Sequence, residues 1–152
     1  MNNPKSLDDL LRRYFRLQHR QILANRRQDI PAYNRIYDRV WYAMQAIEDF
    51  GGDGKQAIEA MLEHDEPMIR FRAAERVQKW NPDLAIPVLG RLLIEPFPEV
   101  STGFERFSIH VDAKMALRKF FELKEFNQNA LIEPLKAYGI DLPRRPEQIW
   151  LD

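Results

Sequence analysis

The sequence predicts an all-α protein of about six or seven helices, and three observations support this. Apolar residues recur with a period near 3.6 in nearly every segment, which is the spacing of one helix face. No segment shows the sustained alternation of apolar and polar residues that indicates a half-buried strand. Proline, glycine and capping residues separate the periodic segments, so we expect helices joined mostly by short turns.

The first fifty residues predict a long helical hairpin. Ser6 is a suitable N-cap for the first helix, and Asp29 can cap the second, with Pro31 in its first turn. Gly51 and Gly52 end the hairpin, because glycine readily takes the left-handed conformation found at helix C-termini. The predicted core residues are Leu7, Leu10, Leu11, Tyr14 and Leu17 on the first helix, and Tyr33, Ile36, Tyr37, Val40, Met44 and Ile47 on the second.

Three further helices are expected between the glycine pair and residue 94. The third runs from about Gly54 to Glu63, Pro67 starts the fourth after an acidic turn, and Asn81-Pro82 separates the fourth from the fifth. Their predicted core residues are Ile58, Met61, Leu62, Ile69, Ala73, Ala74, Val77, Trp80, Leu84, Val88, Leu89, Leu92 and Leu93.

The last third of the chain begins with residues 95–108, which we interpret as the longest loop because they hold two prolines, a glycine and hydroxyl residues. A sixth helix follows, and a seventh ends at Gly139. The sixth is expected to bury Ile109, Ala113, Ala116, Leu117 and Phe120, and the tail to fold back through Ile149, Trp150 and Leu151 as a cap.

Residues 57–77 carry the clearest motif. A short helix leads into an acidic turn with Pro67, and the next helix carries an apolar-Arg pair followed by Ala73-Ala74, which lets two helices approach closely. This block resembles a HEAT repeat, and the chain to about residue 123 is similar to a small bacterial family of HEAT-like domains of unknown function.

The resemblance implies a HEAT/armadillo-like α–α superhelix formed by one domain. That domain comprises an N-terminal hairpin at 1–52, HEAT-like repeats at 53–123, and a C-terminal helix with a capping tail at 124–152. The family's compact pattern lacks the insertion at 95–108.

Composition argues against several kinds of active site. The absence of cysteine excludes a thiol nucleophile and thiolate metal ligands, and His19, His64 and His110 lie in no metal-binding spacing. There is no phosphate-binding loop and no nucleophile elbow. We therefore expect no enzymatic activity, no cofactor and no metal.

The N-terminus lacks the apolar run of a signal peptide, and no window reaches the roughly 20 apolar residues of a membrane helix. These features predict a cytoplasmic protein without membrane contact.

Helical repeats present an extended face that suits recognition of another protein. We expect a non-catalytic protein-binding module, and as its concrete form a bacterial immunity protein that neutralises a cognate toxin, by analogy of fold. The expected partner-binding residues point away from the core on the fourth and sixth helices, or lie in the loop between them; they are Arg72, Glu75, Lys79, Phe104, Phe107, Lys114, Arg118 and Glu122. The alternative is that the phenylalanines fold inward and the charges are solvated.

A second interpretation is nucleic-acid binding through a basic stripe. Arg12, Arg16 and Arg20 are spaced to line one side of the first helix, with Arg26 and Arg27 nearby, and residues 1–40 hold nine Lys or Arg against four Asp or Glu. Acidic residues interrupt this region and the isoelectric point is near 6.9, so ion pairs explain the arginines equally well.

Overall fold

A computed structural model describes residues 6–125 and 127–146, and within these residues every regular element is helical. The all-α prediction is confirmed. The seven α-helices of this part of the chain are α1 Leu7–Arg26, α2 Ile30–Asp49, α3 Gly52–Ala60, α4 Pro67–Val77, α5 Pro82–Arg91, α6 Gly103–Phe120 and α7 Ile132–Lys136. Short 3₁₀ turns at Met61–Glu63 and Gln128–Leu131 extend α3 and precede α7. The predicted contacts of Ile149, Trp150 and Leu151 fall outside the described residues.

Helix starts follow the capping residues. The Ser6 hydroxyl accepts a hydrogen bond from the Asp9 amide, and an Asp29 carboxylate oxygen accepts one from the Ala32 amide at 3.1 Å. Gly51, after α2, has a φ of +110°, which only glycine adopts without strain. These local signals place both ends of the hairpin where the sequence predicts them.

The helices pack mainly against their neighbours along the chain. α1 packs along α2, and each of α3, α4, α5 and α6 contacts the helix before it. α4 also contacts α6, and α5 also contacts α7. Side chains of α4 bond to α2, so α2, α4 and α6 lie side by side, with α4 in the middle.

The core runs continuously from Tyr14 on α1 to Leu142 beyond α7. Most predicted core positions are buried, including Ile36, Val40, Met44 and Ile47 on α2. The predictions for Tyr37 and Leu84 are wrong, since each is more than two-fifths exposed. On α2 the buried stripe follows Ile36, Val40 and Met44. Tyr37 and Trp41 each come one residue after a buried position, so they lie about 100° round the helix, at the edge of the core.

The loop before α6 is shorter than predicted. It ends at Thr102, whose hydroxyl accepts a hydrogen bond from the Glu105 amide at 3.0 Å and caps α6. Phe104 and Phe107 consequently lie on α6, not in a loop. Thr102 and Glu105 fit the capping-box spacing, a signal that the prolines and Gly103 obscured.

No helix in residues 6–125 and 127–146 is both long enough and apolar enough to cross a membrane.

Candidate binding cleft between α2, α4 and α6

Two adjoining clefts open beside α4. The first, of about 370 Å³, lies between α2, α4 and α6, and we call it the tyrosine cleft; its lining residues are Tyr33, Tyr37, Phe71, Arg72, Glu75, Asp112, Met115, Ala116 and Lys119. The second, of about 220 Å³, lies between α1, α2 and α4, and we call it the tryptophan cleft; its lining residues are Tyr14, Val40, Trp41, Met44, Gln45, Arg72, Glu75, Arg76 and Lys79. Arg72 and Glu75 line both clefts.

Arg72 is packed against α2, although no carboxylate binds it. Its guanidinium carbon lies 5.0 Å from the centre of the Tyr37 ring, and one terminal nitrogen lies 4.0 Å from the Met68 sulfur. The Nε of Arg72 is buried without a hydrogen-bond acceptor among the described residues. Within the described residues no carboxylate oxygen comes within 4.0 Å of this guanidinium.

Glu75 on α4 and Asp112 on α6 line the tyrosine cleft, and neither forms an ion pair within 4.0 Å in the described part of the chain. Desolvation by burial raises the pKa of both carboxyl groups. The charge of Asp112 raises the pKa of Glu75 further, while the nearby Arg72 opposes the shift at both. The cleft therefore holds partly desolvated carboxyl groups on which the charge of Arg72 acts, although neither forms an ion pair within 4.0 Å among the described residues.

Two other charged residues of the tryptophan cleft, Arg76 and Lys79, are in contrast paired. Arg76 donates to the Gln45 side chain at 2.6 Å and to Glu48 at 3.4 Å, and its guanidinium carbon lies 5.0 Å from the Trp41 ring centre. Lys79 bonds to both carboxylate oxygens of Glu48, at 3.0 and 3.2 Å. These contacts join α4 and the turn after it to α2, and hold the Trp41 ring in place.

Beneath the tryptophan cleft lies a chain of buried side-chain hydrogen bonds that was not predicted from the sequence. The Tyr14 hydroxyl donates to Gln18, whose amide nitrogen donates to Gln21 at 2.9 Å. Burial raises the pKa of Tyr14, and Arg72 and Arg76 oppose that shift. The amide nitrogen of Gln21 has no partner in the described structure. Spacings of four and seven residues from Tyr14 place both glutamines on its helix face, a signal available in the sequence.

Three of the predicted partner-binding residues, Arg72, Glu75 and Lys79, line the clefts. Two of them also have internal contacts. Arg72 packs on Tyr37, and Lys79 pairs with Glu48.

The predicted residues of α6 do not join them. Asp112, Ala116 and Lys119 face the tyrosine cleft, whereas Lys114 and Arg118 lie on the opposite flank of the helix, about 100° or more beyond the buried positions. Arg118 donates to the backbone carbonyls of residues 124 and 125, and so closes the turn after α6.

The remaining three predicted residues also lie outside the clefts. Glu122 lies in the turn after α6, with a φ of +56°. Phe104 and Phe107 are 59% and 67% exposed near the start of α6, so the inward-folding alternative is wrong for both.

The basic stripe is exposed on α1. Arg12, Arg16 and Arg20 point away from the core, and none of them forms an ion pair within 4.0 Å in the described structure. Ion pairing therefore does not account for this stripe. Arg26 does not belong to it, because its guanidinium binds Glu66 and Glu105 in the interior.

His64 and His110 have packing contacts, whereas His19 is exposed on α1. His64 stacks on Phe15 and accepts a hydrogen bond from the Glu66 amide through Nδ1, and His110 packs edge-on against Phe97. Residues 6–125 and 127–146 contain no convergence of three or more His, Asp or Glu side chains suited to a metal ion. No protein-family model, curated protein or solved structure matches this chain.

Proposed function

We propose that this chain is a non-catalytic protein-binding module. Its partner docks on the tyrosine cleft and on an aromatic rim formed by the exposed rings of Tyr37 and Trp41. The observation that supports this most is the presence of four charged groups, Arg72, Glu75, Asp112 and Lys119, which line the cleft without an ion pair within 4.0 Å in the described structure. Partly desolvated charges cost free energy when they have no partner. A protein surface with complementary charges would recover that cost.

The rim of the cleft has the composition of interface hot spots. Tyrosine, tryptophan and arginine dominate the binding energy of many protein–protein interfaces. Tyr37 and Trp41 are 41% and 45% exposed, and arginines of α4 pack against both rings. Because the rings are already held in place, a partner would lose little side-chain entropy by binding them.

The placement of α4 between α2 and α6 supports a HEAT-like arrangement as part of this proposal. In such an array one row of helices lines the binding face, and here α2, α4 and α6 line the tyrosine cleft. The finer proposal is a bacterial immunity protein that neutralises a cognate toxin. It is supported by the small all-helical scaffold and its mixed-charge cleft, and by analogy of fold.

The test is a pull-down in which wild-type protein and two doubly charge-reversed variants serve as bait for partner proteins. Glu75→Lys/Asp112→Lys changes the cleft, while Glu63→Lys/Asp83→Lys makes the same charge change at exposed positions outside it. We expect wild type and the control to retain one protein that the cleft variant loses, and the purified pair to bind at 1:1. If the cleft variant binds the purified partner as well as wild type does, the cleft is not the interface.

Nucleic-acid binding is the second candidate. It is favoured by the stripe of Arg12, Arg16 and Arg20, which forms no ion pair within 4.0 Å in the part of the chain that the structure describes. Exposed arginines at this spacing can contact successive phosphates. The stripe lies on the face of α1 away from the core, whereas the tyrosine cleft is lined by α2, α4 and α6, so the two candidates predict different binding surfaces.

A further inference from the structure

Beside the tyrosine cleft, the outer surface of α2 forms a concave site of about 320 Å³ lined by Tyr37, Asp38, Trp41 and Tyr42, which we call the aromatic corner. The Trp41 and Tyr42 rings lie 5.2 Å apart between centres, with their planes at 86°. The two rings are therefore nearly perpendicular and form two walls of the concave site. Tyr37, one helical turn before Trp41, is a third wall, and Asp38 adds a carboxylate.

The folded chain makes little use of this surface. Tyr42 is 66% exposed, and the ring contact of Tyr42 that the structure describes is with Trp41. Asp38 forms no ion pair within 4.0 Å among the described residues. Three large aromatic rings exposed within six residues exceed the scattered apolar exposure of an ordinary surface. Their grouping with a carboxylate indicates a binding site.

The walls of the corner are supported from behind by α4. The guanidinium carbons of Arg72 and Arg76 each lie 5.0 Å from a ring centre, that of Tyr37 and that of Trp41 respectively. These two positive charges disfavour a second cation nearby. Glu48 pairs with Arg76 at 3.4 Å, however, and the charge of Glu75 acts on Arg72, so both are offset locally.

We propose that the aromatic corner binds an alkylammonium group, supplied by a lysine side chain of the protein partner. The electron-rich faces of aromatic rings attract cations, and the Asp38 carboxylate adds a full negative charge. A planar guanidinium stacks on one ring at a time, whereas a compact ammonium group can contact two perpendicular rings together. The assignment of the ammonium group to a lysine of the partner rests on the proposed function, whereas the ammonium site itself does not.

The site is tested by titrating wild-type protein with tetramethylammonium chloride while following the indole N–H signals by NMR. Substitution of each of the three tryptophans by phenylalanine assigns these signals. Sodium chloride at equal ionic strength controls for salt, and tert-butanol for apolar contact. We expect a saturable shift of the Trp41 signal with tetramethylammonium only. An equal shift with tert-butanol or sodium chloride would overturn the proposal.

Variants then locate the site. Tyr42→Ala and Asp38→Asn should each weaken tetramethylammonium binding about fivefold, as expected for one cation contact of moderate strength. Asp53→Asn, an exposed change on α3, should leave binding unchanged. Because Tyr42 is largely exposed, its replacement should not alter the far-UV spectrum. Unchanged affinity in both corner variants would show that tetramethylammonium binds elsewhere.

A second titration identifies the source of the ammonium group. N-acetyl-lysine methylamide should shift the Trp41 signal, and the uncharged norleucine analogue should not. Binding of tetramethylammonium without binding of the lysine probe would overturn the lysine source. If both probes bind but the cleft variant keeps its protein partner, the proposed function fails while the ammonium site stands.

Discussion

The guanidinium of Arg26 donates to both carboxylate oxygens of Glu105, a residue 79 positions later in the chain, at 3.1 and 3.2 Å. The same guanidinium binds Glu66 at 2.8 Å, so one side chain at the end of α1 joins the turn before α4 and the first turn of α6. Glu105 is fully buried. Burial alone would lower the pKa of Arg26, but the bonds and charges of the two carboxylates raise it above its ordinary value.

Replacing Arg26 with methionine should destabilise the protein by about 3–5 kcal/mol, because it leaves the buried carboxylate of Glu105 without a cation. Chemical denaturation followed by circular dichroism measures the free energy of unfolding. Arg27→Met, at the exposed neighbouring position, should change it by less than about 0.5 kcal/mol. Adding Glu105→Gln to Arg26→Met should recover part of the loss. Equal effects of the two methionine variants would contradict this role of Arg26.

Gly54→Ala should destabilise the protein by about 1–3 kcal/mol, as overpacking does in other tight sites. A Cβ at Gly54 would overlap the backbone carbonyl of Ile47, and a backbone atom cannot move aside as a flexible side chain can. Gly52→Ala is the matched control on the same helix, since its added Cβ meets no atom within 4 Å. Thermal unfolding of both variants checks the prediction, and a stabilised Gly54→Ala protein would disprove the close approach of α2 and α3.

Neutralising the cleft carboxylates with Glu75→Gln/Asp112→Asn should raise the melting temperature at pH 7 and have a smaller effect at pH 3. Both pKa values are raised in the folded state, so folding is favoured when the groups are protonated. That contribution is complete below the ordinary values of 4.5 and 3.8 and is lost as the pH rises through the folded-state values.

Glu63→Gln, outside the clefts, is the control for this pH dependence. It should not raise the melting temperature at pH 7 more than at pH 3. If Glu75→Gln/Asp112→Asn is less stable than wild type at pH 7, an attractive contact stabilises these carboxylates in the folded protein.

The basic stripe makes a separate prediction. If the protein-binding proposal is right, the chain should not retain duplex DNA at ~0.15 M salt. Fluorescence anisotropy of a labelled duplex measures this, with Arg12→Ala/Arg16→Ala/Arg20→Ala as the comparison. Micromolar binding with a steep salt dependence, lost in the triple variant but kept in Arg72→Ala, would favour the nucleic-acid function instead.

The local signals of the sequence determined the helices. Apolar periodicity and the caps at Ser6 and Asp29 predicted α1 and α2, because a helix start depends on hydrogen bonds between residues three apart. Most of the core followed from the same periodicity. Gly51, with its positive φ, marked the end of the hairpin for an equally local reason.

The candidate site could be predicted only in part. Arg72, Glu75 and Lys79 follow from the buried face of α4, but the rotation of α6 places Asp112 and Lys119, not Lys114 and Arg118, beside them. Periodicity separates buried positions from exposed ones, yet it does not tell which exposed flank of a helix meets its neighbour. That choice depends on the packing angle between helices.

The same distinction explains the charged and aromatic residues. By itself the sequence determined that Tyr37 lies on the second helix, and that the first helix ends in the polar stretch that contains Arg26. Only the tertiary structure decided that Arg26 would bind Glu66 and Glu105 in the interior, and that Tyr37 would lie exposed over Arg72. Helix formation is governed by neighbours along the chain, whereas burial and ion pairing depend on residues that only the packing of distant helices brings together.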